Sequence, residues 1–188
     1  VGVINSLNVR DCVICDMGGG SFELAVVVDK EAVSYVSIPY GAVSLAEKFN
    51  AHDKISAQDL FKFYRFVLYK FRQLPWLLQG TKLPLVLLGG ANRTVARKEL
   101  MRLGRKDLEN IHGVSMSAYS FIETYTEWLG MDCKERADIL GPEAERADII
   151  IAGLSPIMFL IEYLQTPEII FSESGVREGV LYSMLKRK

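Results

Sequence analysis

The chain has 188 residues, of which 49% are hydrophobic and 24% charged, and its net charge is −1. That length and balance describe one globular domain, or a large half of a bigger enzyme, with enough apolar matter to bury a core. The near-neutral charge argues against a specific DNA- or RNA-binding platform. The longest nearly apolar stretch, 149–161, carries Ser155 and Pro156 and falls short of the ~18 residues a membrane span needs, so no membrane association is expected. The chain opens on Val-Gly-Val-Ile-Asn without Met or an export leader, so it reads as an excised piece of a cytoplasmic protein.

In chain order, residues 13–15, 22–28 and 32–38 are rich in β-branched residues and predict three strands, the last two joined by a turn at Asp29-Lys30. Between the first two lies Asp16-Met-Gly-Gly-Gly-Ser-Phe-Glu23. Glycine tolerates φ > 0 and lets a ligand touch bare backbone, and the amides of such a turn converge into an anion site. Alternation along a strand places Ser21 and Glu23 on one face, with Asp16 just across the turn. A hydroxyl, two carboxylates and a row of amides suit phosphate with Mg²⁺, an ion that takes one or two carboxylates plus phosphate oxygens. The alternative is a tight hairpin turn with charges on its rim, and the residues alone leave both readings standing. Cys12 and Cys15 form a C-x-x-C, but three apart on a strand they face opposite sides. With only Cys133 besides, no four-ligand site follows, and buried free thiols are expected.

After Pro39-Tyr40-Gly41 a short helix is predicted over 42–49. A long one, capped by Ser56 with Asp59 three residues on, carries Leu60, Phe63, Val67, Phe71 and Leu74 at helical spacing and stops at Pro75. Its aromatic residues (Phe61, Phe63, Tyr64, Phe66, Tyr69, Phe71) read as core. Residues 83–88 form a buried strand ending in Gly89-Gly90, with a helix from near Asn92, again a strand, a glycine turn and a helix N-terminus. Arg93 falls in its first turn, at the loop mouth, with Arg97 beside it. Lys98, Arg102, Arg105 and Lys106 point elsewhere, to solvent. His52 and His112 are isolated and read as turn or packing residues. Helices are predicted over 117–129 and 143–165, the second with a kink or restart at Ser155 from Gly153 and Pro156. A strand over 168–171 and a last helix close the chain. The order suggests a mixed sheet with helices on both faces.

Four segments, Asp16–Leu24 (DMGGGSFEL), Leu88–Arg93 (LGGANR), Glu145–Gly153 (ERADIIIAG) and Ser174–Gly179 (SGVREG), resemble in order the exopolyphosphatase/guanosine pentaphosphate phosphohydrolase family. The resemblance covers nearly the whole chain. It implies an α/β, ribonuclease-H-like domain of the actin-like ATPase superfamily with a mixed five-stranded sheet, and specifically the second of two such domains. It further implies that the first domain, with an Asp-x-Gly-Ser phosphate loop and a Glu general base, lies outside this chain, which would then hold half an active site. Carried over, Asp16 becomes a Mg²⁺ or water ligand, and the amides of Gly18, Gly19, Gly20 and Ser21 with the Ser21 hydroxyl hold terminal phosphates. Glu23 orders metal or water, Gly89, Gly90 and Arg93 line the cleft, and Gly175, Arg177 and Glu178 shape a closing helix. The chain departs from the pattern at Phe22, Ala91, Ile151 and Glu173-Ser174, where Thr, Thr or Ser, Pro and Asp-Gly are usual. The implied activity is Mg²⁺-dependent removal of terminal phosphate from inorganic polyphosphate or guanosine penta- or tetraphosphate. A non-catalytic binding or sensing module, or half of a sugar or acetate kinase, is the alternative. Expected partners are the phosphate substrate and the N-terminal domain of the same protein, with homodimerisation left open.

Overall fold

The computed structural model describes residue 7 and residues 9–173. Strands β1 (Cys12–Met17), β2 (Phe22–Val28) and β3 (Glu31–Ile38) form an antiparallel meander. β4 (Leu85–Leu88), β5 (Ser115–Ser117) and β6 (Glu168–Phe171) complete one sheet in the order β3-β2-β1-β4-β6-β5. β1 pairs with β4 in parallel, β4 with β6 in parallel, and β5 with β6 antiparallel. The sheet is therefore mixed, as expected, but has six strands among the described residues rather than five. The extra strand is three residues long, Ser-Met-Ser, and only its Met116 is buried, which leaves too little alternation to read. The β2–β3 turn falls at Asp29 and Lys30, both at positive φ (51° and 65°), as a two-residue hairpin of right-twisted strands favours.

Among the described residues six α-helices accompany the sheet: α1 (Ala42–Lys48), α2 (Ala57–Arg72), α3 (Gly90–Arg102), α4 (Ala118–Leu129), α5 (Cys133–Leu140) and α6 (Ile150–Leu164), with 3₁₀ segments at Pro75–Gly80 and Gly141–Arg146. The Ser56 hydroxyl accepts the Asp59 amide at 3.0 Å and so caps α2. α2 ends at Arg72, short of Pro75, which opens a 3₁₀ turn instead. Phe63, Val67 and Phe71 are buried on it as its spacing predicts. Phe61, Tyr64 and Tyr69 are exposed, which corrects the reading of all its aromatics as core. The predicted helix 143–165 is two elements. Glu143 sits in the 3₁₀ segment with non-helical φ/ψ, and α6 starts at Ile150, so the break lies near 147–149 and not at Ser155. α6 runs unbroken through Pro156. Pro removes one backbone bond and crowds the preceding turn. The Ser155 hydroxyl donates to the Ile151 carbonyl (2.7 Å) and meets the Tyr125 hydroxyl (2.9 Å), and burial on nearly every side keeps the helix continuous across Pro156.

The core lies on one face of the sheet. The larger apolar cluster takes Val13, Cys15, Met17, Phe22, Leu24 and Val26 from the strands and residues from all six helices. The smaller, on the opposite face, takes Cys12, Ile14, Ala25, Val27, Val86 and Leu88 and, among the described residues, no helical residue. Cys12 and Cys15 thus do face opposite sides, buried and free, and burial pushes both thiols up, Cys12 to about 12. The closing helix, with Gly175, Arg177 and Glu178, lies outside the described residues. Among those residues no single helix is long and apolar enough to cross a membrane.

Arg136 of α5 ties the region behind α6 together. It is buried, and it donates to the carbonyls of Ala147 (2.8 Å), Met131 (2.6 Å), His52 (3.1 Å) and Asp53 (3.3 Å), joining three segments far apart in sequence. Burial lowers its pKa, opposed by Cys133, Asp53, Asp132 and Asp148. Replacing Arg136 by Met keeps the stem but strands four carbonyls. We expect a loss of about 3 kcal/mol, on the scale of broken buried charge networks, read as a lower urea midpoint with an unchanged slope.

Candidate functional site

The parallel pairing of β1 and β4 sets Asp16 opposite Leu88, so both strands end together and each runs into a glycine turn. Ligands of open α/β sheets bind at such carboxyl ends. The turns enclose a cleft of about 200 Å³, walled by Asp16, Met17, Gly18 and Gly19 from the first loop and Gly89, Gly90 and Ala91 from the second, with Arg146 beside them. Ala42, Ile149 and Ile150 complete the wall.

The first loop differs from the expectation in one respect. None of Gly18, Gly19 and Gly20 takes positive φ. The turn closes by a bond from the Gly18 amide to the Ser21 carbonyl (2.9 Å), and the loop is braced from outside by α1. The amides of Ala42 and Val43 donate to the carbonyls of Gly18 (2.9 Å) and Gly19 (3.1 Å). The first amides of α1 therefore hold the loop and do not face a ligand. The requirement for glycine lies partly at Gly41, where a Cβ would stand 2.3 Å from the Gly19 carbonyl carbon and 2.4 Å from the Gly20 nitrogen. Among the described residues the amides of Gly19 and Gly20 meet no backbone carbonyl, so they are the loop's available donors.

In the second loop Gly89 has φ 104°, and a Cβ there would sit 2.2 Å from the Met17 carbonyl oxygen. No side chain fits, and the two loops consequently touch through bare backbone. α3 starts at Gly90, two residues before the position expected. Arg93 is exposed and is not part of the cleft wall. The cation in the wall is Arg146, which lies over Gly90 so closely that a Cβ would meet Nη1 at 2.1 Å. Arg146 stands within the Glu145–Gly153 segment, where its neighbours gave no chemical reason to single it out. It sits at the end of the 3₁₀ segment, with Nε 3.9 Å from Glu143.

Glu23 is 3% exposed, and its Oε1 accepts from the hydroxyls of Ser21 (2.8 Å) and Ser37 (2.9 Å). The ladder pairs Glu23 with Asp16 on one side and Ser37 on the other, so the three share the face that carries the smaller cluster. Asp16, Ser21 and Glu23 are thus brought together as their spacing predicts. Gly20, Ser21 and Glu23 are not themselves part of the cleft wall. Among the described residues no group of three His, Cys, Asp or Glu could hold a metal ion by itself.

Of the other basic residues, Arg97 pairs with Glu109 (2.7 Å) and Glu143 (2.9 Å), and Arg102 with Glu99 (2.6 Å). Lys98 corrects its solvent-facing reading, since it pairs with Glu127 (2.5 Å) and lies 5.1 Å above the Trp128 ring. His52 is near Asp148 (3.9 Å) and away from the cleft wall.

Comparison with known proteins follows the same lines. The model of the Ppx/GppA phosphatase family matches residues 1–188. A guanosine-5'-triphosphate,3'-diphosphate pyrophosphatase of Vibrio campbellii is 27% identical over 173 residues, 92% of this chain but 33% of that protein. The chain therefore spans about a third of the length of the curated relatives it matches. The crystal structure of the Aquifex aeolicus Ppx/GppA family member is 26% identical with a TM-score of 0.79, over 99% of this chain and 60% of that one. An exopolyphosphatase from Cytophaga hutchinsonii, 24% identical, shares the fold with a TM-score of 0.84 over 99% of this chain and 61% of its own.

The brace on the first loop is testable. Gly41→Ala forces its Cβ into Gly19 and Gly20, and overpacking of this kind costs about 1–3 kcal/mol. The amide resonances of Gly18, Gly19 and Gly20 should move while those of β5 and β6 stay. Gly20→Ala, whose Cβ meets nothing within 4 Å, should leave stability nearly unchanged.

Proposed function

The chain belongs to the Ppx/GppA phosphatase family, and on that premise we propose that it is one half of a hydrolase that removes the terminal phosphate of a phosphoanhydride chain. The observation that carries the reading is the convergence of two backbone-lined glycine turns, Asp16 and Arg146 on one cleft. Phosphoryl transfer demands little covalent chemistry of a protein. It needs donors and cations placed where charge develops on the phosphoryl oxygens. The amide of Gly19 in the cleft wall supplies the first, with that of Gly20 at its rim, and the guanidinium of Arg146 supplies a planar, always charged fork.

The substrates we propose are inorganic polyphosphate and guanosine penta- or tetraphosphate. The names of the relatives support both, and no residue of the cleft separates them. For Mg²⁺ the donor set fits: two carboxylates on neighbouring strands, one of them clamped by two hydroxyls, suit an ion that draws the rest of its shell from water and phosphate. Asp16 and Glu23 would hold it, and when bound it would neutralise phosphate charge. The Ser21 and Ser37 hydroxyls fix the Glu23 carboxylate, so this chain's contribution is a rigid acceptor at a set position. A base to activate water, and the opposing wall that excludes solvent, are proposed to come from the N-terminal domain of the same protein.

Titration with tripolyphosphate, followed by amide shifts, should perturb Gly18, Gly19, Gly20 and Ser21, more strongly with Mg²⁺. Asp16→Asn should fold normally and lose the Mg²⁺ enhancement. Arg146→Gln should weaken tripolyphosphate binding about ten- to a hundredfold, the worth of a charged hydrogen bond. Shifts confined to α3 would overturn the assignment to the first loop.

Phosphate release from polyphosphate by the chain alone should stay at background, because a positioned base is worth about 10²–10⁴-fold and domain closure is absent. Supplying the N-terminal domain should restore turnover. Turnover by the chain alone, abolished by Glu23→Gln, would place the base within it. Binding without turnover in the joined protein would favour the non-catalytic sensing module.

A further inference from the structure

Arg146 of the cleft wall has a carboxylate three residues earlier in its own segment. Glu143 and Arg146 both lie in the 3₁₀ segment Gly141–Arg146, and side chains three apart eclipse in a 3₁₀ turn. Local geometry alone would therefore give the guanidinium to Glu143. The structure shows otherwise. Glu143 Oε1 stops 3.9 Å from Arg146 Nε, outside hydrogen-bond range, and that Nε has no hydrogen-bond partner among the described residues. The same carboxylate oxygen lies 2.9 Å from Arg97 Nη1.

The hold on Glu143 comes from α3. Gly90 and Arg97 are seven residues apart, two turns at 100° per residue, and so lie on one side of that helix. Gly90 leaves the volume in which the Arg146 guanidinium lies, and Arg97 takes the carboxylate. The Glu143 side chain is only 15% exposed, where solvent screening is weak. Without Arg97, its one remaining ion-pair partner among the described residues would be Arg146. A shift of about 1 Å would bring the two to the ~2.8 Å of a charged hydrogen bond. A poorly solvated carboxylate left unpaired is costly, so that shift is favoured.

From these distances we propose that Arg97 is a positioning residue of the cleft: it holds Glu143 and thereby keeps the Arg146 guanidinium free for a phosphate. Arg97 touches no substrate in this arrangement and acts through Glu143 alone. The consequence for phosphate rests on the phosphate-binding reading of the cleft, whereas the hold on Glu143 is measurable without any ligand.

Arg97→Met tests this, since it keeps most of the apolar stem and removes the charge. In the full chain labelled at its arginine nitrogens, the Arg146 Nε–H resonance is identified by its loss in Arg146→Gln. It should move downfield in Arg97→Met, as Nε gains a carboxylate acceptor, and return in Arg97→Met/Glu143→Gln. Calorimetric titration should show tripolyphosphate bound about tenfold more weakly by Arg97→Met than by the unsubstituted chain, the lower end of what a charged hydrogen bond is worth. In the Glu143→Gln background the same substitution should cost less than about threefold, because no carboxylate remains to capture Arg146. A role in folding alone, or a distant charge acting through solvent, would weaken binding alike in both backgrounds. An unmoved Nε–H resonance in Arg97→Met, or an equal loss of affinity with and without Glu143, would each overturn the proposal. Absence of tripolyphosphate binding by the unsubstituted chain would count against the phosphate cleft, and the resonance would still decide whether Arg97 holds Glu143 away from Arg146.

Discussion

The contact on which the rest of this structure depends is the approach of Gly89 to the Met17 carbonyl. Parallel pairing of β1 and β4 brings two strand ends level, but level ends alone would leave two separate turns. They make one cleft because the second turn passes the first at a distance where a Cβ would lie 2.2 Å from a carbonyl oxygen. The same logic recurs at Gly41 against Gly19 and Gly20, and at Gly90 beneath Arg146. Each glycine serves here as missing volume. Only Gly89 among these needs a left-handed backbone as well. Backbone packed on backbone leaves the two loops little room to move.

That contact also explains the uneven legibility of the sequence. Strands β1, β2, β3 and β4 were readable because burial on both faces or strict alternation leaves runs of β-branched residues, and because Asp29-Lys30 and the glycine turns punctuate them. The grouping of Asp16, Ser21 and Glu23 was readable because strand alternation and a short hairpin admit few other placements. The brace was not. Gly41 lies in a Pro-Tyr-Gly turn that looks like a simple break, and its closeness to Gly19 comes from tertiary packing. Arg146 was hidden for the same reason, since only the fold brings the end of the 3₁₀ segment over Gly90. Arg93, adjacent in sequence to the second loop, attracted the role that Arg146 holds in space.

One helix was missed against a signal that was present, and one break was expected that does not occur. Asp132 and Glu135 form a reciprocal capping box that announces α5, three residues after the end of α4. Pro156 argued for a break that does not occur, because α6 is buried along nearly its whole length and packing holds it where proline removes a backbone bond. Propensity yields to packing where burial is nearly complete.

Behind the cleft, four charged side chains are arranged as a line. Arg146 at the cleft, Glu143 behind it, Arg97 next and Glu109 at the surface alternate in sign over contacts of 3.9, 2.9 and 2.7 Å. Glu143 is largely buried between the two arginines, where screening by salt is weakest, whereas Glu109 is 82% exposed and contributes little to holding Arg97. Arg136 stabilises the frame of this line by holding the Ala147 carbonyl, one residue past Arg146, from a buried position. Among the described residues, the cation of the cleft wall is thus positioned by a network that extends behind it.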